Sequence, residues 1–419
     1  MGRSAVREIQ VSGISVQRGE VLVPTQLGDP VHGLLACPAA PLVAGSLRAR
    51  SAQVKLAELA GYENDSGEFD AVLFLVTCQQ QDGSTVAIAA GAARGDARCA
   101  AFARAAVEDW AGACESRTLL MGSSPWCSGA LHAASAARQA AAKYAALGRK
   151  VFVLAPVAIP AETVAALGEL GAVITTSLAD AGPGDVVVIP AHGVTADVRH
   201  EAMRRGVTVV DATCPMVAAA QSVASRTAER GHQLVLIGQP EQASTAAIVS
   251  LAPDNVTVVE SPAKTAALRV SDAQHVTYLM QPGITMEAGA PVASALRSRY
   301  PAIKAAPAEV CYAPSDRSGT IYSVALGSDL MLVAGDPKSA DARQISATAR
   351  NSGTRVQVIS QVADITPAML AAVRTIGLAE STSAPADLAA QVLSALSGLG
   401  RLSVARRRLS TEKAASVLN

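Results

Sequence analysis

The feature that most constrains this chain is a regular alternation that begins near residue 118. Short runs of β-branched residues alternate with alanine-rich segments whose apolar positions recur with the helical period. A strand, a helix and a second, parallel strand produce this pattern, because the helix carries the chain back across the sheet. The alternation therefore predicts an α/β protein with parallel sheets.

The individual segments can be read from the printed sequence. The predicted strands are TLLMG, VFVLA, AVITT, DVVVIPA, VTVVDA, QLVLIG, VTVVE, VTYLMQ, DLMLVAG and VQVIS. The predicted helices include GALHAASAARQAAAKYAAL, AETVAALGELG, PMVAAAQSVASRTAERG and APVASALRSRY. Several end at glycine, which commonly follows the last residue of a helix.

Residues 1 to 115 show a different pattern. AVLFLVTCQQQDGSTVAIAAGA is typical of a β-hairpin with its turn at Asp82-Gly83, and ARCAAFARAAVEDWAGA is typical of an amphipathic helix. We expect a separate α+β domain of unknown role there. The expected divisions are this domain at 1–115, α/β modules at 116–205, 206–303 and 304–400, and a flexible basic tail at 401–419.

Charge and hydropathy narrow the possible partners. Lys plus Arg and Asp plus Glu each number 35, so no long-range field attracts nucleic acid or an anionic membrane. The N-terminus lacks the apolar core of a signal peptide, and no segment has the ~18 apolar residues that span a bilayer. We therefore expect a cytoplasmic protein that binds neither nucleic acid nor membrane.

Three of the seven cysteines share a local context. Cys127, Cys214 and Cys311 each lie next to the start of a predicted helix, one in each module. Ligands collect at strand ends in α/β sheets, and a helix N-terminus stabilises a thiolate. Three thiolates suit a [4Fe-4S] cluster with one iron open to substrate. The spacing also allows these cysteines to be small hydrophobic core residues.

Five short motifs occur in order along the same region: AHGV, DATCP, GQPE, CYAPSDR and STSAP. Together they resemble the LytB/IspH family of hydroxymethylbutenyl diphosphate reductases, which serve the methylerythritol phosphate route to isoprenoids. The resemblance extends from about residue 118 to residue 396. It implies three pseudo-symmetric α/β modules around a central [4Fe-4S] cluster. It also implies a reductive dehydroxylation, with two electrons taken up and water lost.

The resemblance also implies roles for individual residues. Glu241 falls on the glutamate that delivers protons, and His192 on a histidine that contacts the substrate diphosphate. The implied cluster ligands are Cys127, Cys214 and Cys311, and the implied substrate-binding residues are His192, Gln239, Ser339, Asp341 and Ser383.

Several positions depart from the family pattern. PVAIP places Ala158 or Ile159 where a substrate histidine belongs, and Gln239 replaces another histidine. The segment MQPGIT has Pro282 and Gly283 in place of threonines, and SAD has Ala340 and Asp341 in place of Ser-Asn. A buried diphosphate needs cations and donors around it, so this pocket predicts a less anionic substrate.

Two further side chains have open interpretations. Lys338 either restores positive charge near the pocket or is a turn lysine paired with a neighbouring aspartate. His132 either donates to the cluster or the substrate, or is an ordinary helix-face residue.

No nucleotide or flavin motif accompanies these residues, so we expect electrons from an external ferredoxin or flavodoxin. The leading prediction is an iron–sulfur reductase that removes a hydroxyl from a small molecule other than the usual allylic diphosphate. One alternative is a diphosphate reductase with a rebuilt pocket. The other is a non-catalytic iron–sulfur regulatory protein.

Overall fold

The structure is a computed structural model that describes residues 5–29, 31–59, 69–80, 82–154 and 161–410. The strands are β1 (Arg7–Val11), β2 (Glu20–Asp29), β3 (Gly33–Ala36), β4 (Gln53–Leu59), β5 (Ala71–Gln79), β6 (Thr85–Ala93), β7 (Arg117–Met121), β8 (Val151–Leu154), β9 (Val173–Thr175), β10 (Val186–Ile189), β11 (Thr208–Asp211), β12 (Gln233–Ile237), β13 (Val256–Val259), β14 (Val276–Met280), β15 (Lys304–Ala305), β16 (Leu330–Ala334), β17 (Arg355–Ile359), β18 (Thr375–Glu380) and β19 (Leu402–Arg406). The helices are α1 (Ala40–Ala49), α2 (Ala97–Gly112), α3 (Ser128–Ala145), α4 (Ala161–Glu169), α5 (Ala196–Arg204), α6 (Pro215–Glu229), α7 (Ala243–Val249), α8 (Pro262–Ala267), α9 (Met286–Arg299), α10 (Ala313–Leu326), α11 (Ala340–Asn351), α12 (Pro367–Leu370) and α13 (Leu388–Ser397), with a 3-10 helix at Val362–Asp364.

The chain divides into two compact units. Unit 1 contains the described residues of Met1–Ser123 and Thr320–Arg408, and unit 2 contains those of Ser124–Gly319 and Leu409–Asn419. Every segment that the sequence predicts as a strand or a helix after residue 118 forms one, which confirms the α/β class. Glycines follow helices as expected. Gly171 after α4 and Gly231 after α6 have φ of +72° and +68°, a conformation that favours glycine.

Unit 2 contains two four-stranded sheets. Their strand orders are β11-β10-β8-β9 and β13-β12-β14-β15, and every pairing is parallel. The inner strand β10 is buried along its whole length, as its unbroken run of valine and isoleucine requires. The loops that follow β10 and β12 carry His192, Gln239 and Glu241.

Unit 1 contains a five-stranded parallel sheet and a six-stranded mixed sheet. The orders are β17-β16-β18-β7-β19 and β1-β5-β6-β3-β2-β4. Strands β5 and β6 pair antiparallel, which confirms the predicted hairpin. One hydrophobic core contains side chains from both sheets, including the fully buried Trp110 of α2. The N-terminal segment therefore shares its core with an α/β sheet instead of packing as a separate unit.

Two sequence-based boundaries need correction. β7, which was expected in the first α/β module, pairs with β18 and β19 in the sheet of unit 1. β19 occupies residues 402–406, where a flexible tail was expected. Strand pairing over such separations depends on backbone hydrogen bonds, which leave no local sequence pattern. Residues 411–419 of the expected tail lie outside the described residues.

Strand β18 was not among the strands predicted from the sequence, and its glycine explains why. Gly377 interrupts its apolar run, and glycine weakens a strand signal. A Cβ there would lie 2.6 Å from Ser328 Oγ and 2.7 Å from Met331 Sδ, so close packing requires glycine.

Among the described residues, no helix is long and apolar enough to cross a bilayer.

Candidate functional site

The three cysteines that the sequence singles out all lie in unit 2, where helices begin. Cys127 is the N-cap of α3, and its Sγ accepts a hydrogen bond from Ala130 N at 3.4 Å. Cys214 is the N-cap of α6, whose first residue is Pro215. Cys311 lies just before α10. Each cysteine thus lies where a helix begins, and the first backbone N–H groups of a helix have no partner within the helix.

Cys311 lies close enough to Cys127 and Cys214 for their charges to act on its pKa. Burial is the main cause that raises the pKa of Cys311, and the nearby Cys127 and Cys214 raise it further. Hydrogen bonds from the backbone N–H groups of Ala313 and Gly283 act in the opposite direction. Gly283 therefore contributes a donor to this sulfur, although its sequence position suggests only a lost hydroxyl.

A glycine separates two of the sulfurs. A Cβ on Gly129 would lie 2.6 Å from Cys214 Sγ and 3.9 Å from Cys127 Sγ. A side chain there would clash with Cys214 Sγ, whereas the distance to Cys127 Sγ is an ordinary van der Waals contact. The sequence analysis missed this role, and the available signal was a glycine in the first turn of a helix, where it lowers helix propensity.

Among the described residues, no three His, Cys, Asp or Glu side chains meet closely enough to hold one metal ion. Thiols are soft ligands of the kind that both zinc sites and iron–sulfur clusters use.

His192 lies in the loop after β10, and a backbone hydrogen bond joins this loop to that of Cys214. Cys214 N donates to Ala191 O at 2.8 Å. His192 is half-buried, and burial lowers its pKa, so its imidazole is neutral near pH 7. The next residue, Gly193, has φ of +71° and turns the chain towards α5.

Gln221 of α6 is a neighbour of this loop that sequence analysis missed. A Cβ on Gly193 would lie 2.9 Å from Gln221 Nε2. The side chain is buried, and its Nε2 has no hydrogen-bond partner among the described residues. A buried amide donor of this kind is suited to an oxygen of water or of a ligand beside His192.

Gln239 and Glu241 are exposed in the loop between β12 and α7. Gln239 N donates to Gln281 Oε1 at 2.8 Å, and Gln281 Nε2 donates to Ser244 Oγ at 2.9 Å. This network brings the Gln239 loop beside the segment with Pro282, so two departures from the family pattern are neighbours.

In unit 1, Ser339, Asp341 and Ser383 form part of one polar network. Ser383 Oγ donates to Ser339 Oγ at 2.9 Å and accepts from Asp336 N at 2.9 Å. Asp341 Oδ2 accepts from Thr382 N at 2.7 Å. The structure therefore brings these three predicted substrate residues together.

The other predicted positions are less informative. Ala158 and Ile159 lie outside the described residues. His132 is exposed on α3, as an ordinary helix-face residue is. Lys338 is exposed in a turn where its own N–H donates to Asp336 Oδ1 at 2.8 Å, which favours the turn interpretation.

Known proteins are similar to this chain over the region that contains the α/β sheets and the three loop cysteines. The sequence model of a family described as LytB protein matches residues 118–397. A relative in Mycobacterium bovis, 4-hydroxy-3-methylbut-2-enyl diphosphate reductase 2, is 38% identical over 254 residues, which are 59% of this chain and 77% of that protein. The 4-hydroxy-3-methylbut-2-enyl diphosphate reductase of Bordetella bronchiseptica is 34% identical over 235 residues, 56% of this chain and 72% of that protein.

Solved structures agree at the level of the fold. The E-1-hydroxy-2-methyl-but-2-enyl-4-diphosphate reductase from Plasmodium falciparum has a TM-score of 0.60 at 20% identity, covering 71% of this chain and 94% of that one. A structure of (E)-4-hydroxy-3-methyl-but-2-enyl diphosphate reductase has a TM-score of 0.53 at 21% identity and covers 67% of this chain and 99% of that one. The cysteine loops, the α/β sheets and these relatives agree that the chain is an oxidoreductase of the LytB family.

Proposed function

We propose that this protein is a reductive dehydroxylase that holds a [4Fe-4S] cluster on Cys127, Cys214 and Cys311 and acts on a small molecule less anionic than the usual allylic diphosphate. The observation that carries the proposal is the set of three cysteines next to helix starts, two of whose sulfurs lie beside the same glycine, Gly129. An external ferredoxin or flavodoxin is the proposed electron donor.

The residues present fit such a cluster. Three thiols supply the soft ligands that iron–sulfur centres use, and Gly129 leaves space between two of the sulfurs that a larger residue would fill. When bound, a cluster held by three thiolates supplies an iron without a protein ligand for Lewis-acid activation and supplies electrons one at a time.

The protein's own residues would bind the substrate and move its protons. Glu241 is exposed on its loop, so its carboxyl can exchange protons with solvent and pass one to a leaving hydroxyl. His192 is neutral, so it offers one hydrogen-bond donor and one acceptor without a charge. The buried Gln221 amide adds a second neutral donor beside the same loop.

The electrostatics of these residues support a substrate of low negative charge. A buried diphosphate is stabilised by cations, yet Gln239 carries no charge at a position where the family has a histidine. Asp341 adds a carboxylate to the network with Ser339 and Ser383. Within that unit 1 network, a neutral or cationic group is a better partner for the carboxylate than a diphosphate is.

The test uses anaerobically purified full-length protein with measured iron and sulfide. Its turnover of 4-hydroxy-3-methylbut-2-enyl diphosphate is compared with that of the corresponding monophosphate and free allylic alcohol, with a reduced ferredoxin as donor. We expect kcat/KM to be highest for one of the less charged compounds. A clear preference for the diphosphate would contradict the substrate assignment, and absence of iron and sulfide would contradict the cluster.

Two variants separate binding from proton transfer. Glu241→Gln should lower kcat by roughly 10²- to 10⁴-fold with iron content unchanged. Glu260→Gln, which removes only a surface ion pair with Lys264, is the control. Asp341→Asn should improve diphosphate binding by roughly tenfold, about 1.4 kcal/mol, because it removes a repulsive charge.

A second candidate function is reduction of the allylic diphosphate itself in a rebuilt pocket. The names of the relatives favour it, since the Mycobacterium bovis protein at 38% identity is a reductase of that compound. Growth rescue of a strain that lacks this reductase would support the second candidate over the first.

A further inference from the structure

Unit 1 contains a second group of cysteines, which the family resemblance does not reach. Cys78 lies near the end of β5, and Cys114 follows α2. Their sulfur atoms are 2.8 Å apart. A disulfide bond is about 2.0 Å long, so the two sulfurs need to approach by less than 1 Å to bond.

The pair lines a cavity of about 460 Å³ whose lining residues all belong to unit 1. Its walls include the polar residues His32, Gln79, Glu115 and Arg401 beside Cys78 and Cys114. Cys78 is 8% exposed, but the cavity gives a small polar reagent access to both sulfurs. A thiol packed in a closed core has no such access.

The two sulfurs are electronically unequal. A hydrogen bond from the Cys114 thiol lowers the pKa of Cys78 and outweighs the opposing effect of burial. The same hydrogen bond raises the pKa of Cys114, and burial adds to it, although Arg117 acts in the other direction. These opposite directions favour Cys78 as the sulfur that reacts as a thiolate and Cys114 as its proton donor, although either sulfur can donate across the 2.8 Å contact.

We propose that Cys78 and Cys114 form a thiol–disulfide exchange site whose substrate is a low-molecular-weight disulfide admitted by the cavity. The Cys78 thiolate attacks one sulfur of the disulfide, which breaks its S–S bond and releases one thiolate. Cys114 then loses its proton and attacks the Cys78 sulfur, which releases the second small thiol. Two protein thiols are oxidised to one disulfide, and one small disulfide is reduced to two thiols.

Cys37, which also belongs to unit 1, provides an internal comparison. It is 3% exposed, and burial raises its pKa to about 12, so it stays a protonated thiol near neutral pH. A reaction selective for the proposed site leaves Cys37 unmodified.

The experiment treats anaerobic, cluster-loaded full-length protein with oxidised glutathione, blocks free thiols with N-ethylmaleimide and maps the digested peptides by mass spectrometry. We expect a peptide pair joined through Cys78 and Cys114 and release of two glutathione thiols per linked pair. Failure to form this link at an oxidant concentration that modifies Cys37 would overturn the proposal. This readout needs no variant.

Single substitutions test the order of the two steps. Cys114→Ser should accumulate a mixed glutathione disulfide on Cys78 at least tenfold faster than any adduct on Cys37. Cys78→Ser should leave Cys114 largely unmodified over the same time, and Cys37→Ser should form the linked peptide at the wild-type rate. Equal trapping on Cys114 in Cys78→Ser would overturn the assignment of Cys78 as the nucleophile.

Discussion

Two groups of cysteines in this protein differ in their location and in the contacts of their sulfur atoms. The loop cysteines, Cys127, Cys214 and Cys311, lie in unit 2 next to helix starts and are exposed or half-buried. The contact pair, which consists of the buried Cys78 and the half-buried Cys114, lies in unit 1 with its sulfurs 2.8 Å apart. The residue type is the same, and only the spacing and the surroundings differ.

This difference teaches what decides the chemistry of a thiol. Sulfurs that face a shared space with backbone donors around them are suited to a cluster, because each can bind iron as a thiolate. Two sulfurs in direct contact share one proton and have no room for a metal between them. They are suited to forming a bond with each other.

The largest expected effect comes from removing a loop cysteine. Cys214→Ser should abolish iron binding and lower reductase activity more than a thousandfold, because a serine hydroxyl does not ionise near neutral pH and is a poor ligand for iron. Iron analysis and visible absorption spectroscopy measure the loss. The control is Cys99→Ala in α2, which should keep iron and activity. Full iron content in Cys214→Ser would remove this cysteine from the proposed ligand set.

Oxidation of the contact pair, Cys78 and Cys114, should stabilise unit 1. The two residues are 36 positions apart, so a disulfide between them should add roughly 3–4 kcal/mol to the free energy of unfolding by restricting the unfolded chain. Urea titrations before and after treatment with oxidised glutathione measure the change. Cys78→Ser should show no such gain, and an equal gain in that variant would mean that another site is responsible.

An acid titration tests Asp29, which contacts His32, a residue in the wall of the cavity near the contact pair. Burial acts to raise the pKa of Asp29, but hydrogen bonds from His32, from Val31 N and from Arg7 outweigh it and hold the pKa at about 2. Because the folded pKa lies below the ordinary value of 3.8, the stabilisation is complete above about pH 4 and is lost as pH falls through about 2.

For the side chain of Asp29, which is 1% exposed, this stabilisation is about 2 kcal/mol. Asp29→Asn should lower the free energy of unfolding by that amount at pH 7 and by much less near pH 2. Urea midpoints across this range provide the measurement. A pH-independent difference between the two proteins would show that the charge of Asp29 is not the cause.

The smallest expected effect concerns the space between two loop cysteines. Gly129→Ala places a methyl group 2.6 Å from Cys214 Sγ and should weaken cluster retention by roughly 1–3 kcal/mol, or about 5- to 150-fold. Gly168→Ala is the matched control, because that glycine lies in α4 with open space around it. Equal cluster retention in the two variants would mean that the Gly129 contact is unimportant.

The parts of the fold that could be predicted are those with a local pattern. The unbroken apolar run VVVI predicts the buried strand β10, and the helical period of the alanine-rich segment predicts α3. β18 was missed because Gly377 interrupts it, and β19 because its pairing with β7 involves residues far away in the chain. The pairing of strands that are distant in the chain depends on tertiary packing, so it cannot be predicted from a short segment.

The candidate site divides in the same way. Cys127 and Cys214 could be chosen from sequence because each lies at a strand-to-helix turn, and the motif DATCP marks Cys214. Gly129 and Gln221 could not, because their importance depends on atoms of other segments, such as Cys214 Sγ and the Gly193 loop.

By itself, the sequence determined the α/β class, the family and the three cysteines at helix starts, because each of these depends on residues close together in the chain. Only the tertiary structure decided that Cys78 and Cys114 touch, that Gly129 separates two sulfurs and that the N-terminal segment shares a core with an α/β sheet. The physical reason is that the reactivity of a thiol depends on its burial, its hydrogen bonds and its nearest charges, and folding assembles these from distant segments.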